Sequence, residues 1–529
     1  MANGNFGGGD GTELNPYLVE DALDLDAVRN NLSVHYKQVA TIDLSGWGNW
    51  QPIGKRSGHH STADREIFSG SYDGDNFEIH NLSSLYDTSG NGTGSGPGIG
   101  YTAYDIGLFG HANTASFKNI HLINVQTRGS QNVGGLMGWD QNSSFENCSS
   151  EGSVLASVNV GGLIGNASNS NINSTIKNCF SAGTVSNPHS NANYHGGFIG
   201  TGYGIFISDC YASTAVAGVY TAGGLTGELR ESTISKCFSL GNVETGEWGG
   251  GAGGFIGSSR DNAIANCYSR GNVITGSGAY ESGGFIGYSR TDNISNCYST
   301  GFVPATSSWG DINGFMGAMY LTSTTINNCY YDTNTSGKSD TGKGEPRTTL
   351  QMTDPYDEIT TYLTWDFETI WGISATKNDG YPFLLWTLQD ILVFVRNNPT
   401  LFPDAQPYQD GALIMIPMRY PIIQMGGNIH WDEINFIATV KMEGKTLKLY
   451  ANTNEVDVDG VINYLDYTIP IVDDRIALKA EDIVRFFPKW RVGIDGLSVY
   501  YTTKGGIFVR KTNWIPIPIK DFDNTIDIT

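Results

Sequence analysis

No run of eighteen apolar residues occurs in the 529-residue chain, so no helical membrane span is expected. Positive charge is scarce: 31 basic against 53 acidic residues give a net charge of −22. Without a basic cluster to neutralise phosphates, nucleic acid is excluded as a partner. The acidity itself reads as solubility. No C-x-x-C pair is present, and the nine histidines include no H-x-x-x-H or H-x-H spacing, so zinc is not indicated. The adjacent His59 and His60 read as a solvated loop. The first residues, MANGNFGGGDGTELNPYL, lack a charged segment followed by an apolar one, so no secretory leader is expected in the chain as given. Such a protein reaches the exterior by lysis or assembly, or has had its leader trimmed.

Glycine, by contrast, is abundant at 69 residues, yet aromatics make up 12%, too many for a flexible linker. The glycines therefore belong to turns and close-packing positions of a regular array. The seven cysteines, Cys148, Cys179, Cys210, Cys237, Cys267, Cys297 and Cys329, recur every 27 to 32 residues. Each sits in one phrase, as in KNCFSAGTV, SKCFSLGNV, ANCYSRGNV and SNCYSTGFV. A second phrase, GG[LF]xG, precedes most of them, with NGFMG as the last copy. A period near thirty residues means a stack, because one such unit cannot bury its apolar face alone.

Within each unit two or three strands of four to six residues are expected, separated by Gly, Asn and Ser turns. Units without helical periodicity suit a right-handed parallel β-helix, and a dozen coils at about 4.8 Å each would make a rod of roughly 50 to 60 Å. The Leu or Phe of GG[LF]xG should fill the interior and the next residue should lie on the opposite face. Stacked cysteines point the same way, which suits a buried structural column better than disulfides, whose Cβ vectors must face. Ile120, in FKNIHLINV, occupies the cysteine slot of an early coil, so that slot requires an apolar group.

Residues 12–32 read as a strand and then a helix, with Glu20 and Asp21 at its start and Leu25, Val28 and Leu32 on one face. This segment caps one end of the array. Trp365, Phe367, Trp371, Tyr381, Phe383 and Trp386 form an aromatic cluster expected to plug the other. A boundary is expected near 390–405, giving an N-terminal cap and first coils (1–100), repeats (101–345), the aromatic cap (346–390) and a smaller β-rich α+β domain (391–529).

Two resemblances follow from these phrases. GTELNPYLV, YKQVATIDLSGWGNWQPIG and FSGSYDGDNFEIHNL precede the GG[LF][IM]G and NCYSxG repeats, and WDFETIW and YPFLLW close the series. Over roughly residues 8–388 this order resembles the GLUG-motif proteins. The resemblance implies a β-helical stalk or adhesive scaffold of bacterial surface or phage proteins, with no defined catalytic residues. IMIPMRYPIIQMGGNIHWD (414–432) and IALKAEDIVRFFPKWRVGID (476–495) resemble the two halves of the copper amine oxidase N-terminal-like domain. Leu478-Lys479 stands where that pattern has Pro-x-Arg. The resemblance implies a non-catalytic, metal-free accessory module, so no cofactor is expected.

Chemical motifs are few. GKSDTGKG (337–344) approaches a phosphate loop, but Gly344 replaces the magnesium-binding hydroxyl. NYLDY (463–467) lacks a histidine trio, and Asp73 and Asp75 fall in the turn SYDGDN. One pattern is suggestive: Tyr194, Tyr220, Trp248, Tyr280 and Trp309 each lie two to five residues before a Gly pair. They line a flank, or they form a ring ladder that stacks on a glycan. The reading reached here is a non-enzymatic virion component, a phage tail or receptor-binding protein, partnered by other virion proteins or a host glycan. A bacterial cell-surface adhesin is the alternative, and a polysaccharide-degrading tailspike a second. Homo-oligomer contacts are expected along exposed strand edges.

Overall fold

The computed structural model describes residues 6–56, 65–86 and 104–503, less the internal stretches 169–173, 188–192, 248, 305–309, 321–322, 355–360, 368, 374–377, 388–391, 396–397, 400–407, 411–412, 433–434, 473–474, 488 and 496–497. The chain divides into two compact units, residues 1–385 and 386–529.

The first unit is a parallel β-solenoid. One coil shows its plan: a first strand Gln131–Val133, a second Met137–Gln141, a third Ser144–Glu146 and a fourth Ser149–Leu155. Equivalent strands stack in parallel register, so four faces run along the axis, the first and second with eight strands and the third with eleven. Each coil thus has four strands rather than two or three, because the Gly pair and the Asn-Cys step each turn a further corner. At about 4.8 Å per rung, the eleven rungs of the third face extend about 50 Å.

Register explains the repeated letters. On the third face the inward file runs Phe117, Phe145, Ile176, Ile207, Ile234, Ile264, Ile294 and Ile326. The residue before each cysteine turns the next corner in the left-handed region: Asn147, Asn178, Asp209, Lys236, Asn266, Asn296 and Asn328 all have φ between 50° and 56°. Asparagine adopts that conformation more readily than most residues. The Asn147 amide also donates to Asn119 Oδ1 at 2.9 Å, tying corner to corner.

Both residues after each Gly pair enter the core, contrary to the alternation expected: Leu136 and Met137, or Phe285 and Ile286, are all fully buried in one cluster. The corner falls between them, so alternation does not apply. The second glycine is required by close approach. A Cβ on Gly254 would meet Gly284 O at 2.1 Å and Ser269 Oγ at 2.8 Å. That serine is the S of the cysteine phrase. Ser181, Ser239 and Ser299 donate across the interior to the carbonyls of Gly197, Gly254 and Gly314, at 2.7, 2.6 and 3.1 Å. The two repeated phrases are therefore halves of one contact.

At the N-terminal end a helix, Ala22–Ala27, is capped by the Asp21 carboxylate, which accepts from Leu23 N and Asp24 N. Leu25 and Val28 are buried in the solenoid core, with Leu32 packed against it. At the other end the aromatic cluster is not the plug. The segment 337–347 closes the last coil: Tyr331 donates to Asp340 O (2.6 Å), Gly314 N to Asp340 Oδ1 (2.9 Å), and Glu345–Arg347 adds a parallel strand to Tyr330–Asp332. Trp365, Trp371 and Tyr381 run back along the flank instead, because Tyr268, Tyr298 and Tyr330 offer a ring surface there. Trp371 reaches Asn266 Oδ1 (3.2 Å) two rungs back, and Trp365 donates to Asn328 O (3.2 Å).

The second unit contains a five-stranded antiparallel meander from Asn428–Asp432 to Val461–Tyr464. Strand-helix-strand segments flank it in sequence: Leu413–Pro417, Arg419–Met425 and Asn428–Asp432, then Arg475–Lys479, Ala480–Arg485 and Trp490–Asp495. Ile416, Ile422, Val440, Leu447, Leu478 and Ile483 form its core.

Candidate functional site

The seven cysteines form a single interior file on the corner into the fourth face, each 0–1% exposed and none in a disulfide. Each thiol donates to the carbonyl two residues before it, as Cys237 does to Ser235 O at 3.1 Å and Cys297 to Ser295 O at 3.1 Å. Cys148 N and Cys179 N donate to the sulfurs of Cys179 and Cys210, at 3.3 and 3.4 Å. Burial pushes the Cys148, Cys210, Cys237 and Cys297 thiols well above the usual value. Those four thiols, held neutral in a dry file, are poor nucleophiles. Ile120 occupies the same file one coil earlier, its carbonyl accepting from Ser149 N at 2.8 Å.

The five aromatics before the Gly pairs fare differently. Trp248 and Trp309 lie outside the described residues. Of the other three, Tyr220 and Tyr280 share a register position but sit two coils apart with Gly250 between them, and Tyr194 falls one position over, at φ 62°. These three do not make a ring file. Register is fixed by the Gly pair, so a variable upstream distance scatters the rings.

The ring file is instead the [FY] after each cysteine from Cys179 onward, on the outer side of the fourth face. Phe180, Tyr211, Phe238, Tyr268 and Tyr298 stack with centroids 4.8 to 5.0 Å apart and planes within 6°. The flank segment covers its later rungs. Trp371 lies 6.2 and 6.1 Å from Tyr268 and Tyr298, and Trp365 lies 6.0 Å from Tyr330. Tyr298 donates to Pro382 O at 2.6 Å, and Arg270 pairs with Asp379 at 2.7 Å while lying over the Tyr381 ring. The later rings, Tyr268, Tyr298 and Tyr330, are packing surface for the chain itself. The sequence held them inside the quoted motif, and a strict one-per-coil spacing was the signal.

A concavity lies on the outer side of the third face, near the N-terminal end, with a volume of about 510 Å³. Its floor is one register file, His35, Ser71, Ser116, Ser144 and Thr175. Beside it runs a file of alternating sign, Lys37, Asp73, Lys118, Glu146 and Lys177. Lys37 approaches Asp75 at 3.6 Å and Lys118 approaches Glu146 at 3.8 Å. Glu13 and Pro16 wall one end, and Thr114 and Asn142 one side. His35 Nδ1 shares a 2.8 Å hydrogen bond with Ser71 Oγ. Asp73 accepts from Asp75 N and from Asn119 Nδ2, both at 2.9 Å, and so serves a turn. Among the described residues no three His, Cys, Asp or Glu side chains converge as metal ligands, and no helix is long and apolar enough to cross a membrane.

Residues 278–303 match the GLUG motif, and residues 394–490 match the copper amine oxidase N-terminal domain. The chain carries both modules. The GLUG match is one complete coil of the solenoid, from the strand Tyr280–Gly283 to Tyr298–Ser299. Halomucin of Haloquadratum walsbyi is 34% identical over 169 residues, 30% of this chain and 2% of that protein. A candidate Gly-rich membrane protein of Evansella cellulosilytica is 43% identical over 63 residues, 12% of this chain and 6% of that one. The chain therefore spans only a small part of either relative. Among solved structures, a candidate immunoglobulin A1 protease from Bacteroides ovatus aligns with a TM-score of 0.42 at 20% identity, covering 72% of this chain and 95% of that one. An IgA1 protease aligns at 0.38 and 13%, covering 85% and 34%. Likeness at that level bears on no activity.

Proposed function

We propose that this chain is an extracellular, surface-exposed solenoid that works as a rigid spacer and adhesive element, without catalysis. The observation that carries the reading is the use of its repeated chemical side chains. Thiols, rings and serines are spent on stacking one coil upon the next, and a polar groove is left on an outer face. The matches to halomucin and to a protein named as a Gly-rich membrane protein support an exterior location. Neither name points to a virion, so the surface-adhesin alternative takes precedence over the phage-tail reading. The C-terminal module fits a wall-associated accessory.

Trypsin added to intact producing cells tests the location, followed by immunoblotting for this chain. Loss of the full-length band while a cytoplasmic marker survives is the expected result. Labelling confined to released particles would restore the virion reading. Incubation of the purified chain with polysaccharides should yield no new reducing ends, and their appearance would overturn the non-catalytic part.

A further inference from the structure

We infer that the third-face groove binds a neutral, linear polysaccharide laid parallel to the solenoid axis; this rests on the surface reading above. Three features of the groove argue for that ligand class. First, the floor repeats with the rung: His35, Ser71, Ser116, Ser144 and Thr175 each stand one strand apart, so a hydrogen-bonding group recurs about every 4.8 Å. A ladder of identical steps suits a ligand that is itself a repeat. Hydroxyls that both donate and accept suit a polyhydroxylated chain.

Second, the charges beside that floor cancel locally. Lys37, Asp73, Lys118, Glu146 and Lys177 alternate along the file, and Asp75, which pairs with Lys37 within 4 Å, makes three carboxylates against three lysines; Lys118 pairs likewise with Glu146. A track of alternating sign offers no net field to a polyanion, and the chain as a whole, at −22, repels one. Charged side chains held in such pairs still present donors and acceptors to sugar hydroxyls.

Third, the floor file continues beyond the concavity into Phe206, which pairs in register with Thr175. Its ring is 45% exposed, unusual for a phenylalanine on a sheet, and its neighbour on the following rung is Thr233. A bare ring at the end of a hydroxyl track is a stacking platform for a sugar face. From His35 to Phe206 the track covers six rungs, about 24 Å. Several consecutive sugars fit along that length, which compensates for weak individual contacts.

The full-length chain tests this by depletion from solution onto cellulose, chitin and curdlan, with an alginate resin as the carboxylated control. Retention on at least one neutral polymer and none on alginate is expected. Phe206→Ala should weaken retention about fivefold, the order of one stacking contact. Ser144→Lys, which puts bulk and charge on the floor, should abolish it. Phe302→Ala removes an equally exposed ring off this face and should change nothing. The melting temperature of each variant should stay at that of the parent. Retention on no neutral polymer, retention on alginate alone, or losses equal in Phe302→Ala would each overturn the inference. A chain that trypsin shaves from cells yet binds none of these polymers sinks the groove and leaves the surface location standing.

Discussion

The third and fourth faces of the solenoid come from neighbouring strands of every coil, yet they have opposite fates. The outer file of the fourth face is aromatic, and the chain folds its own Trp365, Trp371 and Pro382 back over the later rungs. The outer file of the third face is built of hydroxyls and alternating charges, and it keeps an open concavity. A buried aromatic surface needs a partner to leave water, and here the partner is covalently attached. A polar file has no such demand. The contrast separates the surface that holds the rod together from the one available to something else.

Substitutions sharpen that contrast. The largest effect should come from Trp371→Ala. Its ring is fully buried against Tyr268 and Tyr298, and its loss should cost about 4 kcal/mol. Urea unfolding would read this, and an unchanged midpoint would refute the flank docking. Gly254→Val should follow at about 3 kcal/mol, because the added carbons meet the Gly284 carbonyl and Ser269 across the interior.

Asp140 gives a pH-dependent test. Burial raises its carboxyl to about 6, against which hydrogen bonds from Ser143 and Ser174 pull only partly. The folded state therefore favours the protonated form. Its contribution to stability is full below the ordinary value of 3.8 and is lost as pH rises through 6. Asp140→Asn keeps the acceptor for Ser174 and should gain on the parent by about 2 kcal/mol between pH 4 and pH 7. An equal difference at both pH values would argue against a buried charge.

Cys267→Ala should cost about 1 kcal/mol, the loss of one packed sulfur, and all seven thiols of the parent should react with iodoacetamide only after unfolding. The smallest effect belongs to the bare face. Lys118→Ala should shift stability by less than about 0.5 kcal/mol, since its partner Glu146 is half exposed.

The periodic features were the legible ones. Cysteine spacing predicted one interior file, Ile120 predicted its apolar demand, and Glu20 and Asp21 marked the capping helix. What a period cannot show is the path between repeated letters. Four strands rather than two or three, and the inward turn of both Leu136 and Met137, depend on corners that alternation ignores. The Ser269–Gly284 contact joins two phrases that look independent because fifteen residues separate them. The aromatics before the Gly pairs misled because their distance from the register-setting glycine varies. The groove was invisible for the same reason: Ser71, Ser116, Ser144 and Thr175 are ordinary residues until stacking brings them into line.

Cys237, Cys267 and Cys297 are spaced by thirty residues, and every thiol between the ends faces the same way. Bonding each coil only to its neighbours frees the number of coils from the design of either terminus. Duplicating one thirty-residue stretch of the gene would lengthen the reach by one step. It would add an eighth sulfur without leaving any cysteine in need of a mate.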